Sequence, residues 1–247
     1  MNINNKNGLS AEKFLLLIKS LPKNAVILFI SAVVLMNLLS RITLVSLPLF
    51  ALNAGILVSW ISFLILDIIV KHYGALAANI LSLTAISVNL ICTFVCVLLG
   101  RMFDYPLLDS VVGGQWSILL ASTTAFIVSS LTNNYTNIKI GRNFTENPDS
   151  KRAFAARSFI STLLSQIVDN FIFVFLAFVV LPLIPSAFQV RWTISQCLGC
   201  SVICAFIEML TEVIFSPIGY NLLKKWKEQN VGYEYLNKYY PNGTLGV

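Results

Sequence analysis

Charge is what this sequence has least of. Asp, Glu, Lys and Arg together supply 11% of its 247 residues, where soluble domains carry about 25%. With 57% hydrophobic residues and a mean hydropathy of +0.79, that shortfall excludes a water-soluble domain and places the chain in a membrane. Histidine is nearly missing as well. With His72 alone, neither an H-E-x-x-H helix nor a His cluster can form, and no Ser/His/Asp set is read. There is no G-x-x-x-x-G-K-[ST] phosphate loop, so ATP hydrolysis by this chain is not expected. The G-x-G-D context of intramembrane aspartyl proteases is missing too. The expectation is a protein that is not an enzyme and holds no cofactor and no metal.

Cysteine is present but in odd number: Cys92, Cys96, Cys197, Cys200 and Cys204. All lie within or at the edge of apolar runs, so a disulfide framework is not expected. Cys197-Leu-Gly-Cys200 matches C-x-x-C, but no βαβ pattern surrounds it. Small packing residues on a membrane helix are the simpler reading.

What is there is apolar length. Six runs of about 20 or more mainly apolar residues, as a bilayer core of roughly 30 Å demands, fall near 25–46, 49–70, 75–99, 116–138, 155–181 and 195–223. The expected fold is an all-α membrane protein, a six-transmembrane-helix bundle over 25–223. Segment 1–24 and tail 224–247 flank it, both cytoplasmic. The three-plus-three order fits two inverted halves, whose second spans carry Asp67 and Asp169. Segment 12–21 is weakly amphipathic and reads as lying on the membrane surface. No small-residue cleavage site follows a short apolar core, so no removable signal is read.

The net charge of +6 invites a nucleic-acid reading, but the basic residues are scattered between apolar runs rather than gathered on one element. With six spans and the N-terminus inside, 14 of the 17 Lys and Arg residues fall on the cytoplasmic side, leaving Arg41, Arg101 and Arg191 outside. That asymmetry is the positive-inside pattern. The partner it implies is the lipid bilayer, not nucleic acid.

The fifth run, RSFISTLLSQIVDNFIFVFLAF from Arg157 to Phe178, carries the main polar signal. Ser158, Ser161, Thr162, Ser165, Gln166 and Asp169 recur at helical spacing and form one stripe. An ionised Asp at the centre of a membrane helix costs roughly 2.5–3.5 kcal/mol on insertion scales, so the stripe must face protein or a watery cavity. Ser and Thr alone serve as helix–helix glue; Gln166 with Asp169 points to a solute or ion site. The second run places Trp60, Phe63, Asp67, Lys71 and Gly74 on one face. Asp67 and Lys71 can neutralise each other across one turn, or Asp67 can bind a donor-rich solute beside Trp60 and Phe63. The sixth run carries Glu208 and Glu212 one turn apart, before Pro217, which is expected to break the helix ladder. Asn37, Arg41, Asn79, Asn89, Gln115, Ser129, Ser130 and Asn133 add more polar groups than packing alone needs.

Four groups of residues resemble the queuosine-precursor transporter family, also called the vitamin uptake transporter (VUT) family, from about Ile30 to Lys225. They are Asn37-Leu-Leu with Arg41; Phe63 to Asp67 with Tyr73-Gly74; Arg157 with Ser161-Thr162, Gln166 and Asp169-Asn-Phe-Ile-Phe173; and Ser216-Pro217 with Tyr220. The resemblance implies uptake of a deazaguanine (7-cyano-7-deazaguanine, its aminomethyl form or queuine) across a bacterial inner membrane. Such bases offer an N–H/NH₂ edge that a carboxylate can accept bidentately, and a flat face that aromatic rings can sandwich. The expected substrate-binding residues are Asp169, Gln166, Asp67, Trp60, Phe63, Phe173, Asn37 and Ser165. Lys71, Glu208, Glu212 and Arg157 are the candidates for ion pairing or proton coupling.

The chain departs from the family pattern in three places. Lys71 stands at the acidic position of the usual D-x-x-x-E-x-Y-G string, Glu208 stands where a Lys is common, and Trp60 replaces a proline. The first two changes are complementary, which leads to an expected Lys71–Glu208 ion pair. The rival readings are the substrate-binding subunit of an energy-coupling-factor vitamin importer and a non-transporting scaffold. A homodimer is left open.

Overall fold

The computed structural model describes residues 11–105, 114–141 and 151–240. Apolar length becomes helix almost throughout: α1 (Ala11–Ser20), α2 (Lys23–Leu39), α3 (Ile56–Tyr73), α4 (Ala75–Met102), α5 (Gln115–Gly141), α6 (Lys151–Phe175), α7 (Ile194–Glu228) and α8 (Tyr233–Tyr239). α6 runs on through a π-helical turn, Leu176–Val180, and a 3₁₀ turn at Leu181–Leu183. It is an all-α membrane protein. Helices α2 to α7 occupy the six expected intervals, but fewer are long and apolar enough to cross a bilayer unaided. Among the described residues those are four: Ile56–Tyr73, Ala75–Met102, Leu163–Leu183 and Ile194–Phe215. α1 and α2, bent by 93° at Leu21-Pro22, make a fifth if taken as one span. The shortfall has a plain cause. α2 has only 17 residues, and the apolar part of α5 stops at Ser129, before its Asn-rich end.

The first two expected spans are corrected at their junction. α2 ends at Leu39, and α3 begins at Ile56 instead of 49. Between them Thr43–Ser46 (β1) and Ala51–Asn53 (β2) pair antiparallel, with Thr43 opposite Asn53 and a bulge before Val45. Local chemistry favours the hairpin over a continued helix. Pro48 sits in its turn, Val45 and Thr43 are β-branched, and the Asn53 side chain accepts the Gly55 N–H at 2.9 Å. α7 ties the hairpin down: Gln196 Nε2 donates to the Leu47 carbonyl at 2.9 Å, and Ser195 Oγ to that of Pro48 at 3.2 Å. Thr193 and Gln196 close a capping box there.

Pro217 interrupts the ladder without ending its helix. α7 is continuous from Ile194 to Glu228 with Pro217 inside it. One missing N–H is a small loss for a helix this long that packs along both α6 and α3.

Two separate apolar cores hold the bundle. One, at the end carrying α1 and α8, joins Leu17, Phe29, Val33, Ile65, Ile69, Tyr73, Leu81, Trp226 and Tyr235. Gly74, at φ +89°, makes the sharp α3–α4 junction there, a conformation that L side chains rarely adopt. The second core, at the hairpin end, joins Ala51, Ile118, Ala121, Val174, Phe178, Trp192, Cys197, Cys200 and Cys204. Phe178 and Trp192 stack there with centroids 4.2 Å apart.

The C-x-x-C glycine has a packing explanation. A Cβ on Gly199 would run into the Leu49 carbonyl and lie 2.7 Å from Phe50 Cβ. Gly199→Val is expected to lower stability by about 1–3 kcal/mol through overpacking, read as thermal unfolding in detergent. Leu198→Ala, at an exposed neighbour, should stay within about 0.5 kcal/mol of the parent.

Candidate functional site

Between the two cores the helices part around a cavity with ≈ 530 Å³ of empty space, its open mouth included. α2 contributes Met36, Asn37 and Ser40; α3 and the residues before it contribute Asn53, Gly55, Ile56, Ser59 and Phe63. α5 gives Ser122 and Ala125, α6 gives Asp169, Asn170 and Phe173, and α7 gives Cys204 and Glu208. Of the described residues of the α6 polar stripe, Asp169 is the one that lines the cavity.

Each acid in the cavity is held by neutral donors. Ser129 Oγ donates to Asp169 Oδ1 at 2.7 Å. Asn170 Nδ2 donates to Glu208 Oε2 at 2.9 Å and to the backbone carbonyl of Gln166 at 3.0 Å. The Ser59 hydroxyl also meets Glu208. Asp169 is half-buried, whereas Glu208 is 5% exposed. Asn37 is 2% exposed and lines the same space, and its amide nitrogen has no hydrogen-bond partner. Phe63 and Phe173 supply the flat walls, with Phe173 edge-on to Phe178 at 6.2 Å. Chemically, this is a cavity with a mostly apolar lining and a few convergent polar groups.

Residues 53–222, well over half of the chain, match the family described as "Putative vitamin uptake transporter". No curated protein and no solved structure gives a match. The chain belongs to this family of uptake transporters. It is therefore a multi-pass membrane protein that moves a small molecule, and not an enzyme.

Of the eight residues expected to bind substrate, the transporter brings Asp169, Phe63, Phe173 and Asn37 together at the cavity. Four others lie outside its lining. Gln166 is buried with its Oε1 unpartnered, and Ser165 is half-buried one turn before Asp169. The Trp60 ring is already stacked on Phe215, at 4.1 Å and 14°. Asp67 pairs with Lys71 at 2.6 Å. The side chains of Arg157 and Glu212 lie outside the described residues.

The expected Lys71–Glu208 pair is overturned, and the reason is distance along the helix. Glu208 faces Ser59, at the start of α3, while Lys71 lies twelve residues further on. At 1.5 Å per residue that is roughly 18 Å away. Asp67, one turn from Lys71, is the nearer partner.

Sequence reasoning missed Asn170, Ser59 and Asn53. Asn170 stands beside Asp169 yet off its stripe, so helical periodicity alone gave it no role. Ser59 and Asn53 fell inside a stretch read as plain span. Polar residues at i and i+4 across Gln166 and Asn170 were the available signal. A double-mutant cycle on Lys71 and Glu208 should give a coupling below about 0.5 kcal/mol. Asn170→Ala alone should cost about 1–3 kcal/mol by stripping Glu208 of a donor. A coupling of about 3–5 kcal/mol would reinstate the ion pair.

Proposed function

We propose that this transporter imports a small, flat, nitrogen-rich base, a queuosine precursor: 7-cyano-7-deazaguanine, its aminomethyl form or queuine. The observation that carries the reading is that Asp169 lines one cavity together with Phe63 and Phe173. A carboxylate accepts the paired N–H and NH₂ of a guanine-like edge, and aromatic faces take the ring. In this reading the protein sits in a bacterial cytoplasmic membrane with both termini inside, as its basic residues favour. The cavity, lined from the hairpin half of the bundle, then lies nearer the outer face.

The alternative, a substrate-binding subunit of an energy-coupling-factor importer, is less well supported. Such subunits dock through an Ala-x-x-x-Ala face on the first span. Here Ala25 and Ala32 are seven apart, and both are buried inside the bundle.

The test is uptake of labelled deazaguanine bases by a host unable to make queuosine. Wild type should accumulate label, and Asp169→Asn should reduce the initial rate about tenfold or more, the scale of a hydrogen bond to a charged group. No uptake by wild type overturns the substrate. Uptake that requires a co-purifying ATPase module decides for the importer subunit. Lost stability with unchanged uptake in Asp169→Asn decides for a scaffold-like role of that residue.

A further inference from the structure

Two acids line the cavity, and among its fifteen described lining residues there is no lysine, arginine or histidine. Among the described residues, the side chains that meet these acids are neutral apart from the acids' effect on each other: Ser129 of α5 on Asp169, Asn170 of α6 and Ser59 of α3 on Glu208. Hydroxyl and amide donors stabilise a carboxylate but leave its charge uncancelled, and in a bundle poor in water that charge stays costly. A second, independent feature points to a ligand. From the α2 side, Asn37 presents an amide N–H group to the same cavity, 2% exposed and unpartnered. A buried donor left unmade costs free energy unless something fills it. The walls agree in sign, because the faces of Phe63 and Phe173 attract cations.

Resting on the reading of this cavity as the solute site, we propose that it selects a positively charged solute. The ligand carries a protonated amine or amidinium that meets Asp169 and Glu208, and an acceptor that meets the Asn37 amide. Ring shape admits the ligand, and charge sets the affinity. Among flat bases, the aminomethyl form is then preferred over the neutral cyano form.

The test compares ligands that differ in charge but little in shape, using the full-length purified protein at pH 7. One pair is the aminomethyl and cyano deazaguanines; the other is benzamidine and benzamide. Binding is measured by calorimetry, with thermal stabilisation as a second readout. The cation of each pair should bind about tenfold or more tightly, as charge-assisted hydrogen bonds to a carboxylate allow. Glu208→Gln should bring the ratio close to one by weakening the charged member more than the neutral one, a change of ratio that lost folding cannot imitate. Neutral members that bind wild type as well as the cations overturn the proposal. So does a Glu208→Gln variant that weakens both members equally. The wild-type ratio decides even if the variant does not fold. If benzamidine binds through Glu208 and neither base does, the deazaguanine assignment fails and charge selection stands. If both bases bind equally, the reverse holds.

Discussion

A bundle in a bilayer has no water to satisfy a stray polar group, and that constraint arranges everything around the cavity of this transporter. Two dry cores, one at each end, do the holding together. Asn37, Ser59, Asp169, Asn170 and Glu208 are collected in the belt between them. The same helices serve both purposes along their length. α7 gives Cys197, Cys200 and Cys204 to one core, Glu208 to the cavity and Trp226 to the other core. α6 turns from Asp169 and Asn170 in the cavity to Val174 and Phe178 in the hairpin-end core within about two turns.

Among the described residues, each end of the bundle carries a bonded or packed segment. At one end, the hairpin spans from α2 to α3 and is bonded to the capped start of α7. It fixes three of the helices that line the cavity. At the other end, the tail folds back. Tyr73 Oη donates to the Ser20 carbonyl at 2.7 Å, His72 meets the Val231 carbonyl at 2.9 Å, and Lys238 bonds Glu12. Lys13 lies over the Tyr239 ring at 5.2 Å from its centroid. The Lys238–Glu12 pair is exposed and contributes little by itself. The buried tyrosines and Trp226 matter more, because they extend the core past the last turn of α3. Rigid ends and a polar middle are a reasonable layout for a site that must hold its geometry while helices around it shift.

The membrane class and the helix positions were legible in the sequence because apolar length and low charge are strong, additive signals. Asp169, Phe63, Phe173 and Asn37 were legible as cavity candidates, since a polar group in an apolar run has few reasons to exist. The hairpin was not. Its strands are three and four residues long and embedded in apolar sequence, so they add nothing to a hydropathy profile. Trp60 and Gln166 failed as lining residues for a different reason. Periodicity says which residues share a face, but not whether that face meets a void, another ring or a tightly packed neighbour. Phe215 lies on another helix, far along the chain from Trp60 and beyond the reach of any spacing argument.

The charged departures from the family pattern carry a related lesson. Two opposite changes on different helices look like a swapped pair, and a buried pair broken on one side costs about 3–5 kcal/mol, so a swap seems demanded. The structure meets the demand locally instead. Lys71 takes Asp67 from its own helix, where the i,i+4 spacing brings the two side chains together. Glu208 takes an uncharged donor, Asn170 of α6, and lies against Ser59 of α3. One change is thereby spent at the helix end, where Lys71 is exposed, and the other inside the cavity. Because the two do not cancel each other, Glu208 lines the cavity with no lysine, arginine or histidine among the described lining residues beside it.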